Sequence, residues 1–418
     1  MIKLLHFSDA HIDIISQGRR DPESGLPIRV MDFLKALDRI INVAIEEKVD
    51  LVLFTGDAFK DRNPASTYRR EWDRRIMRLA QSDIPILLLV GNHDISPAAG
   101  RANTLHEFET LQVPKVKVLS QPGFLRPADL WGLPLQVIAI PYITRSTVMA
   151  SLEIEGLPAN KITAELEERL SELVLGWLEK KDNSLPLILT AHASVEGAVY
   201  GQERSVILGN DLTLPGSLVR DQRIDYVAMG HIHKAQDVNK GHKPPVVYPG
   251  SIERVDFGEA GDDKYYSLVE LEPGQTSYKL KKLPGRKFYD RNIQFEESKT
   301  LPDAEVFMGQ ILEKLPDKDS MEDAMVRLIV RYPREWEALL DETAIRKAAE
   351  NAFEFHFIRQ PFSEARLRLP TNQTMESLTP LEMAEIYWKS AKTSSKELEE
   401  LKKLAEEIIA GDPGELGK

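Results

Sequence analysis

Five short clusters of carboxylate, amide and imidazole side chains run in order along the chain: Asp9-Ala10-His11, Gly56-Asp57, Gly91-Asn92-His93-Asp94, Ala191-His192 and Gly230-His231-Ile232-His233. Oxygen and imidazole donors of this kind hold divalent cations, and the set has no sulfur because the chain has no cysteine. Such a mixture suits manganese, iron or zinc, with magnesium less favoured. Two such ions about 3.5–4 Å apart can clamp the attacking and leaving oxygens of a phosphate ester. Asp57 suits the bridge, since a carboxylate can offer one oxygen to each ion. Asp9 and His11 can share an ion if the chain is already turning there. Asn92 can supply an amide oxygen, and His192, His231 and His233 can supply neutral nitrogens. The expected cofactor is a pair of divalent metal ions, manganese first.

Each cluster alone has an ordinary reading. Asp9-Ala10-His11 could be a capping aspartate beside a surface histidine, Gly56-Asp57 a common turn, and His231 with His233 a strand-end accident. Their positions argue otherwise. Each closes an apolar, β-branched run: Ile2–Phe7, Leu51–Thr55, Ile86–Val90, Leu187–Thr190 and Tyr226–Met229. Runs like these predict buried parallel strands, and ligand sites in open α/β sheets gather beyond the carboxyl ends of such strands. Five of the nine histidines thus point at one place. His6, His106, His242 and His356 lie outside these clusters and stay out of the predicted site.

The elements around the clusters alternate. Leu34, Leu37, Ile41 and Ala44 form a helical stripe between the first two motif strands, and Leu166, Leu170, Leu173 and Trp177 form another before His192. Further strands are expected at Val137–Tyr142, Val246–Pro249 and Tyr266–Leu271. Strand–helix alternation predicts an α/β layered domain over residues 1–278. Beyond a turn-rich junction at Leu283-Pro284-Gly285, the metal-type residues stop. Helix Ala304–Leu315, strand Met325–Tyr332, helix Glu335–Glu350 and strand Phe353–Arg359 predict a small α/β module over 279–370. Two capped helices fill 371–418, after a boundary near 369–373. Thr379-Pro380-Leu381-Glu382 and Ser394-Ser395-Lys396-Glu397 both read as capping boxes.

Bulk properties narrow the classes. At 418 residues the chain can hold two or three domains. No apolar stretch approaches a membrane span. The first strand begins at the start of the chain, so no cleavable leader is expected, and the absence of cysteine fits a cytoplasmic protein. A formal net charge of −12 argues against indiscriminate coating of nucleic acid. Two basic clusters offer local exceptions, or ordinary solvated faces: Arg69, Arg70, Arg74, Arg75 and Arg78, and Lys279, Lys281, Lys282, Arg286, Lys287 and Arg291.

The series of clusters resembles the calcineurin-like metallophosphoesterase superfamily. The resemblance implies a four-layer sandwich, two sheets flanked by helices, with the metals at one sheet edge. It implies that Asp9, His11, Asp57 and His233 hold one ion and that Asp57, Asn92, His192 and His231 hold the other. It also implies that His93 meets the phosphate and protonates the leaving oxygen while Asp94 orients its ring, a sensible pairing for a general acid.

Three segments narrow the resemblance to nuclease subunits of bacterial double-strand-break repair complexes. They are Gly56–Pro64, Tyr248–Glu259 and Leu378–Lys389. The implied activity is a manganese-dependent 3′-to-5′ exonuclease on duplex ends, with an endonuclease that opens hairpins or single strands. A small capping domain and a helical tail docked on a coiled-coil ATPase are also implied. So is a homodimer through helices 66–80 and 101–111, with Ile76, Leu79, Ala80, Leu105, Phe108 and Leu111 at the contact; internal packing of the same residues is the alternative. The chain departs from many members at Asp13, where a glycine often follows the first motif, at the loop carrying Arg19 and Arg20, and at Lys60, where some carry histidine. The enzymatic alternative is a stand-alone phosphoesterase for nucleotides or another small ester. A scaffold without catalysis is a third reading.

Overall fold

A computed structural model of the chain describes residues 1–14, 18–95, 102–143, 159–201, 213–296, 301–362, 379–390 and 395–410. It forms two compact units, Met1–Tyr289 with Asp323–Met325, and Asp290–Glu322 with Val326–Lys418.

The first unit runs β1 (Ile2–Phe7), α1 (Ile28–Glu46), β2 (Leu51–Phe54), α2 (Ser66–Gln81), β3 (Ile86–Leu89), α3 (His106–Thr110), β4 (Val116–Leu119), β5 (Gly123–Leu125), β6 (Gln136–Ile140), α4 (Ala159–Leu178) and β7 (Leu187–His192). It continues through β8 (Ser194–Val195), β9 (Thr213–Leu214), α5 (Gly216–Val219), β10 (Tyr226–Gly230), β11 (Gln236–Asp237), β12 (Val246–Tyr248), β13 (Lys264–Glu272) and β14 (Gln275–Leu283).

Two six-stranded sheets result, ordered β14-β13-β1-β2-β3-β4 and β11-β12-β10-β7-β6-β5. All five motif-bearing strands lie parallel to their motif-bearing neighbours, with Phe7 opposite Phe54, Phe54 opposite Leu88 and Gly230 opposite His192. Parallel strands buried on both faces need continuous apolar sequence, which is what these runs supply.

The cores define four layers. Alternate residues Leu5, Phe7, Val52 and Phe54 face α1 and α2, packing on Leu37, Ile41, Trp72 and Ile76. The opposite face of that sheet, Leu4, Leu51, Leu53 and Leu87, meets Val137, Ile188, Tyr226 and Ala228 of the second sheet. The outer face of the second sheet packs on α4. The sandwich expected from the resemblance is therefore present. One stripe is corrected: the buried line on α4 is Leu166, Leu170, Val174 and Leu178, while Leu173 is 48% exposed. The expected boundary after residue 278 falls inside β14, which pairs with β13 along its length, and the first unit continues to Tyr289.

The dimer residues are corrected too. Ile76, Leu79, Leu105 and Phe108 are buried in the α1–α2 core of their own chain, and only Leu111 is strongly exposed. The helix expected over 101–111 is only His106–Thr110, and Arg101 lies outside the described residues. The α2 arginines are not a free basic face either. Arg69 pairs with Glu107 (2.5 Å), Arg70 and Arg74 with Glu71 (3.1 and 3.5 Å), and Arg75 and Arg78 with Asp38 (2.7 and 3.1 Å). Three carboxylates thus offset part of the charge of the five guanidinium groups.

A three-stranded sheet of β15 (Phe288–Gln294), β16 (Met325–Pro333) and β17 (Glu354–Phe362) makes up the strands of the second unit, with Phe288, Tyr289 and Met325 counted in the first. The second unit's helices are α6 (Ala304–Leu312), α7 (Lys318–Met321) and α8 (Glu342–Ala348), and α6 and α8 pack with Phe295, Leu328 and Trp336 through Phe307 and Ile345. The single helix expected over 335–350 is split. A 3₁₀ segment covers Arg334–Leu339, and Asp341 starts a new helix by accepting from Ala344 N (3.0 Å). An aspartate at that place caps more favourably than it continues a helix.

The tail forms α9 (Pro380–Ser390) and α10 (Ser395–Ala410), paired through Lys402 and Glu385 (2.5 Å). The Thr379 capping box is formed: Thr379 N donates to Glu382 Oε2 (2.8 Å) and Glu382 N to Thr379 Oγ1 (3.3 Å). Ser394 of the second box and the 369–373 boundary lie outside the described residues.

Candidate metal centre

The carboxyl ends of β1, β2 and β3 in one sheet and of β7 and β10 in the other meet at one place. All seven expected ligands converge there, five of them buried at 8% exposure or less: Asp9, His11, Asp57, His192 and His231. Convergence requires the chain to turn sharply as each strand ends. Asp9, His11, Asp57 and His231 all take positive φ (50°, 38°, 65° and 96°). Non-glycine residues in such regions cost about 1–3 kcal/mol each and persist only where the surroundings over-determine them. Gly91 is needed for a different reason, because a Cβ there would run into the Asp57 carboxylate and backbone.

Most of the ring orientations are set from behind. His11 Nδ1 donates to the carbonyl of Phe59 (3.2 Å), His192 Nδ1 to that of Thr55 (2.6 Å), and His233 Nδ1 to Glu259 Oε1 (2.7 Å). In the neutral rings these bonds leave the three Nε2 atoms as lone pairs facing inward. His11 Nε2 and His233 Nε2 then stand 3.1 Å apart, with Asp9 Oδ1 4.0 Å from the former. That Asp9 oxygen is buried without a hydrogen-bond partner, while its other oxygen accepts from His231 N (3.1 Å).

A second convergence lies alongside. His192 Nε2 is 3.0 Å from Asn92 Oδ1, which is 3.1 Å from His231 Nδ1. Asp57 Oδ2 lies between the two groups, 3.8 Å from His11 Nε2 and 3.4 Å from His192 Nε2. His93 N anchors its other oxygen (2.8 Å). Neutral rings would set acceptor against acceptor in this buried space, a conflict that a proton on His192 or a bound cation relieves. Asp9, His11 and His233, and again Asp9, Asp57 and His192, are close enough to hold a metal ion.

The electrostatics repeat this demand for positive charge. Burial disfavours a charged His192, yet Asp57 outweighs it and raises the imidazole to about 9. Burial likewise opposes charge on Asp57, but the imidazoles led by His192 hold its carboxyl well below the usual range. On His233, burial is overcome by Glu259 and the pKa rises. On His11 burial wins, and its pKa falls well below the ordinary value.

His93 borders the cluster rather than joining it. Its ring lies edge-on to His11 with centroids 5.2 Å apart, and its Nδ1 donates to the carbonyl of Lys60 (2.7 Å). The expected Asp94–His93 ring contact gives way to a different arrangement. Asp94 Oδ1 accepts from Ala58 N (3.0 Å) and Thr104 Oγ1 (3.1 Å), and its Oδ2 from Asp57 N and Gly91 N (both 2.9 Å). Asp94 thus ties two ligand loops together. Burial and the nearby Asp57 charge push its pKa up to about 6, against those hydrogen bonds.

Sequence reasoning gave no role to Glu259, Lys264 or Ser251. Glu259 holds the His233 ring, and buried Lys264 holds Glu259 (2.6 Å) and Ser251 Oγ (2.7 Å). Burial opposes the Glu259 charge, but His233 and Lys264 together keep its carboxyl far below the usual range. Glu259 stood inside the Tyr248–Glu259 segment, so a search there for a carboxylate partner of a ligand histidine had a signal to find. His6, set aside from the sequence, is buried between the sheets on Tyr226 Oη (3.0 Å) and Thr55 Oγ1 (3.2 Å).

A four-layer α/β sandwich with Asp, Asn and His side chains converging at the meeting of two sheet edges defines a metallophosphoesterase. Residues 2–235 match the calcineurin-like phosphoesterase family, and the chain belongs to that family. Among its relatives is the D component of the nuclease SbcCD of Escherichia coli K12, 25% identical over 66% of this chain and 66% of the relative. The alignment thus spans slightly less than two thirds of that protein. The DNA double-strand break repair protein Mre11 of Methanosarcina acetivorans is 25% identical over 76% of this chain and 44% of its own length. The uncharacterized metallophosphoesterase YhaO of Bacillus subtilis is 24% identical over 79% of this chain and 72% of its own. Among the described residues, no helix is long and apolar enough to cross a membrane.

Proposed function

We propose that the chain is an SbcD-type, manganese-dependent DNA nuclease, the hydrolytic half of an ATP-driven machine that processes double-strand breaks. Its activities are a 3′-to-5′ exonuclease on duplex ends and an endonuclease on hairpins and single strands. The observation that carries the chemistry is the position of Asp57 Oδ2 between the His11 and His192 nitrogens. Asp9, His11, Asp57 and His233 would hold one ion, and Asp57, Asn92, His192 and His231 the other. Two divalent ions, when bound, supply Lewis acidity to a phosphodiester and an activated water. His93, its Nδ1 committed to Lys60, presents Nε2 on the substrate side, where a protonated ring can give its proton to the leaving oxygen.

The names of the SbcCD and Mre11 relatives support DNA as substrate. The tail supports a protein partner: Tyr387 and Leu404 are 54% and 57% exposed on helices that hold no ligand group. An SbcC-type coiled-coil ATPase is the partner of this reading, with α9 and α10 laid on it by their apolar faces. Self-association belongs to the same reading. The outer surface of α2 and α3 with Leu111 is its candidate contact.

The alternative is a stand-alone phosphoesterase for nucleotides or another small ester; the YhaO likeness, to a metallophosphoesterase whose name gives no substrate, covers more of this chain than the E. coli nuclease does. Incubating the purified chain with manganese and labelled duplex, hairpin and bis(p-nitrophenyl) phosphate, with and without the ATPase, separates the two. Cleavage of DNA stimulated by the ATPase is expected. A chain ending at residue 373 should cut single strands but lose that stimulation. Turnover of the small ester with all DNA left intact would overturn the nuclease reading.

A further inference from the structure

Asp13 lies in the turn after the first motif and is 9% exposed. Its two oxygens accept from consecutive backbone amides, Oδ1 from Lys60 N and Oδ2 from Asp61 N (3.1 Å). These N–H groups belong to the peptide units Phe59–Lys60 and Lys60–Asp61. In a trans peptide the carbonyl points away from the N–H, so fixing one end aims the other. The carbonyl of the first unit is the acceptor for His11 Nδ1 (3.2 Å), and that of the second is the acceptor for His93 Nδ1 (2.7 Å). One carboxylate therefore sits behind two peptide planes whose far ends hold the two imidazoles. Hydrogen bonds in series polarise one another, so an anion on the N–H side makes each carbonyl a better acceptor.

We propose that Asp13 is a positioning residue that sets the Nδ1–H tautomer and ring direction of His11 and His93 together, through the Phe59–Asp61 backbone. Nothing in the assigned roles of the site includes it. The same turn forms one wall of an open cleft of 820 Å³, lined by Asp13, Lys60, Arg62, Asn63, Tyr68 and His93. Its backbone thus lies between the metal-facing ring and the space beside His93. Without the carboxylate, the two amides turn to solvent and the two carbonyls lose their fixed aim. His192 supplies an internal control, because its Nδ1 is held by Thr55, outside this turn.

The inference rests on the reading of His11 as a ligand and His93 as the group beside the substrate. Its test uses neither DNA nor turnover, so an error in the substrate assignment leaves the test intact. The full chain, labelled with ¹⁵N-histidine and loaded with zinc, is compared with Asp13→Ala by long-range ¹H–¹⁵N correlation spectra and by zinc titration. In the wild type, His11, His93 and His192 should all carry the proton on Nδ1. In Asp13→Ala, His93 should become a tautomer mixture, His192 should be unchanged, and one of two zinc sites should weaken by about 10–100-fold, the usual effect of losing an outer-shell partner. Asp13→Asn, of the same shape but able to accept only one of the two amides cleanly, gives the same reading if the alanine variant fails to fold. Unchanged His11 and His93 tautomers with zinc affinity within about twofold would overturn the proposal, even if thermal stability fell.

Discussion

His11 Nε2 and His233 Nε2 face each other at 3.1 Å while each ring has already committed its Nδ1 hydrogen, one to Phe59 and one to Glu259. With His11 neutral, that contact is met by a proton on His233 Nε2, whose pKa Glu259 raises, or by a metal ion that takes the proton's place. Binding of an ion to the folded state alone therefore stabilises it. At free manganese 100-fold above its dissociation constant the gain is about 2.7 kcal/mol, or roughly 5–10 °C in melting temperature for a domain of this size. A chelated sample and a manganese-restored one compared by thermal denaturation give the measurement. Identical midpoints would show that the cluster does not take the ion.

Asp57 and His93 should separate binding from chemistry. Asp57→Ala removes the oxygen lying between both groups of nitrogens, so metal content and phosphodiester cleavage should fall together. His93→Gln leaves the proposed ligand set complete and removes the proposed proton donor. Near-normal metal content with cleavage lower by about 10²–10⁴-fold is expected. Metal analysis beside initial rates decides it, and a His93→Gln protein as metal-poor as Asp57→Ala would contradict this division of roles.

Asp94 predicts a defect in folding rather than in acid catalysis. Asp94→Ala strands the amides of Asp57, Ala58 and Gly91, and each unpaired buried group costs about 1–3 kcal/mol. A loss of at least about 3 kcal/mol in urea denaturation is expected, with metal affinity falling because two ligand loops come apart. A variant of normal stability that lost only leaving-group dependence would restore the ring-orienting role.

Asp73 on α2 and Glu107 on α3 form a pair of carboxyls, and burial followed by the Glu107 charge raises Asp73 to about 7. The folded state then binds a proton more tightly than the unfolded chain, whose aspartate titrates near 3.9. Stability from this group is complete below about pH 4 and is lost as pH rises through about 7. Asp73→Asn should remove that slope. Its melting temperature relative to wild type should be higher at pH 8 than at pH 5, and a constant difference would count against the shared proton.

Phe108 and Leu111 sit three residues apart and should behave oppositely. Phe108→Asp places a charge in the core beside α2 and should prevent folding or cost several kcal/mol. Leu111, 73% exposed, should tolerate aspartate with its fold intact. Sedimentation of Leu111→Asp beside wild type then reports on self-association through this face. A wild-type chain that is monomeric at micromolar concentration would remove the dimer from the functional reading.

The sequence by itself determined the candidate ligand types and the strands that carry them. Buried parallel strands require unbroken apolar runs, and Asp9, Asp57, Asn92, His192 and His231 each follow or end one. Composition and order therefore located these side chains at strand exits before any contact was known. What the runs could not reveal was how each side chain is held, because that depends on atoms distant in sequence. Asp94 adjoins His93 in the chain, yet the folded turn sends its carboxylate to the amides of Asp57, Ala58 and Gly91. Glu259 reaches His233 across 26 residues, and Asp13 reaches the Lys60 and Asp61 amides across 47 and 48. Phe108 and Leu105 looked as suited to a partner as to a core, since an apolar stripe does not say which surface covers it. Tertiary packing against α2 decided that, and left only Leu111 of that group strongly exposed to water.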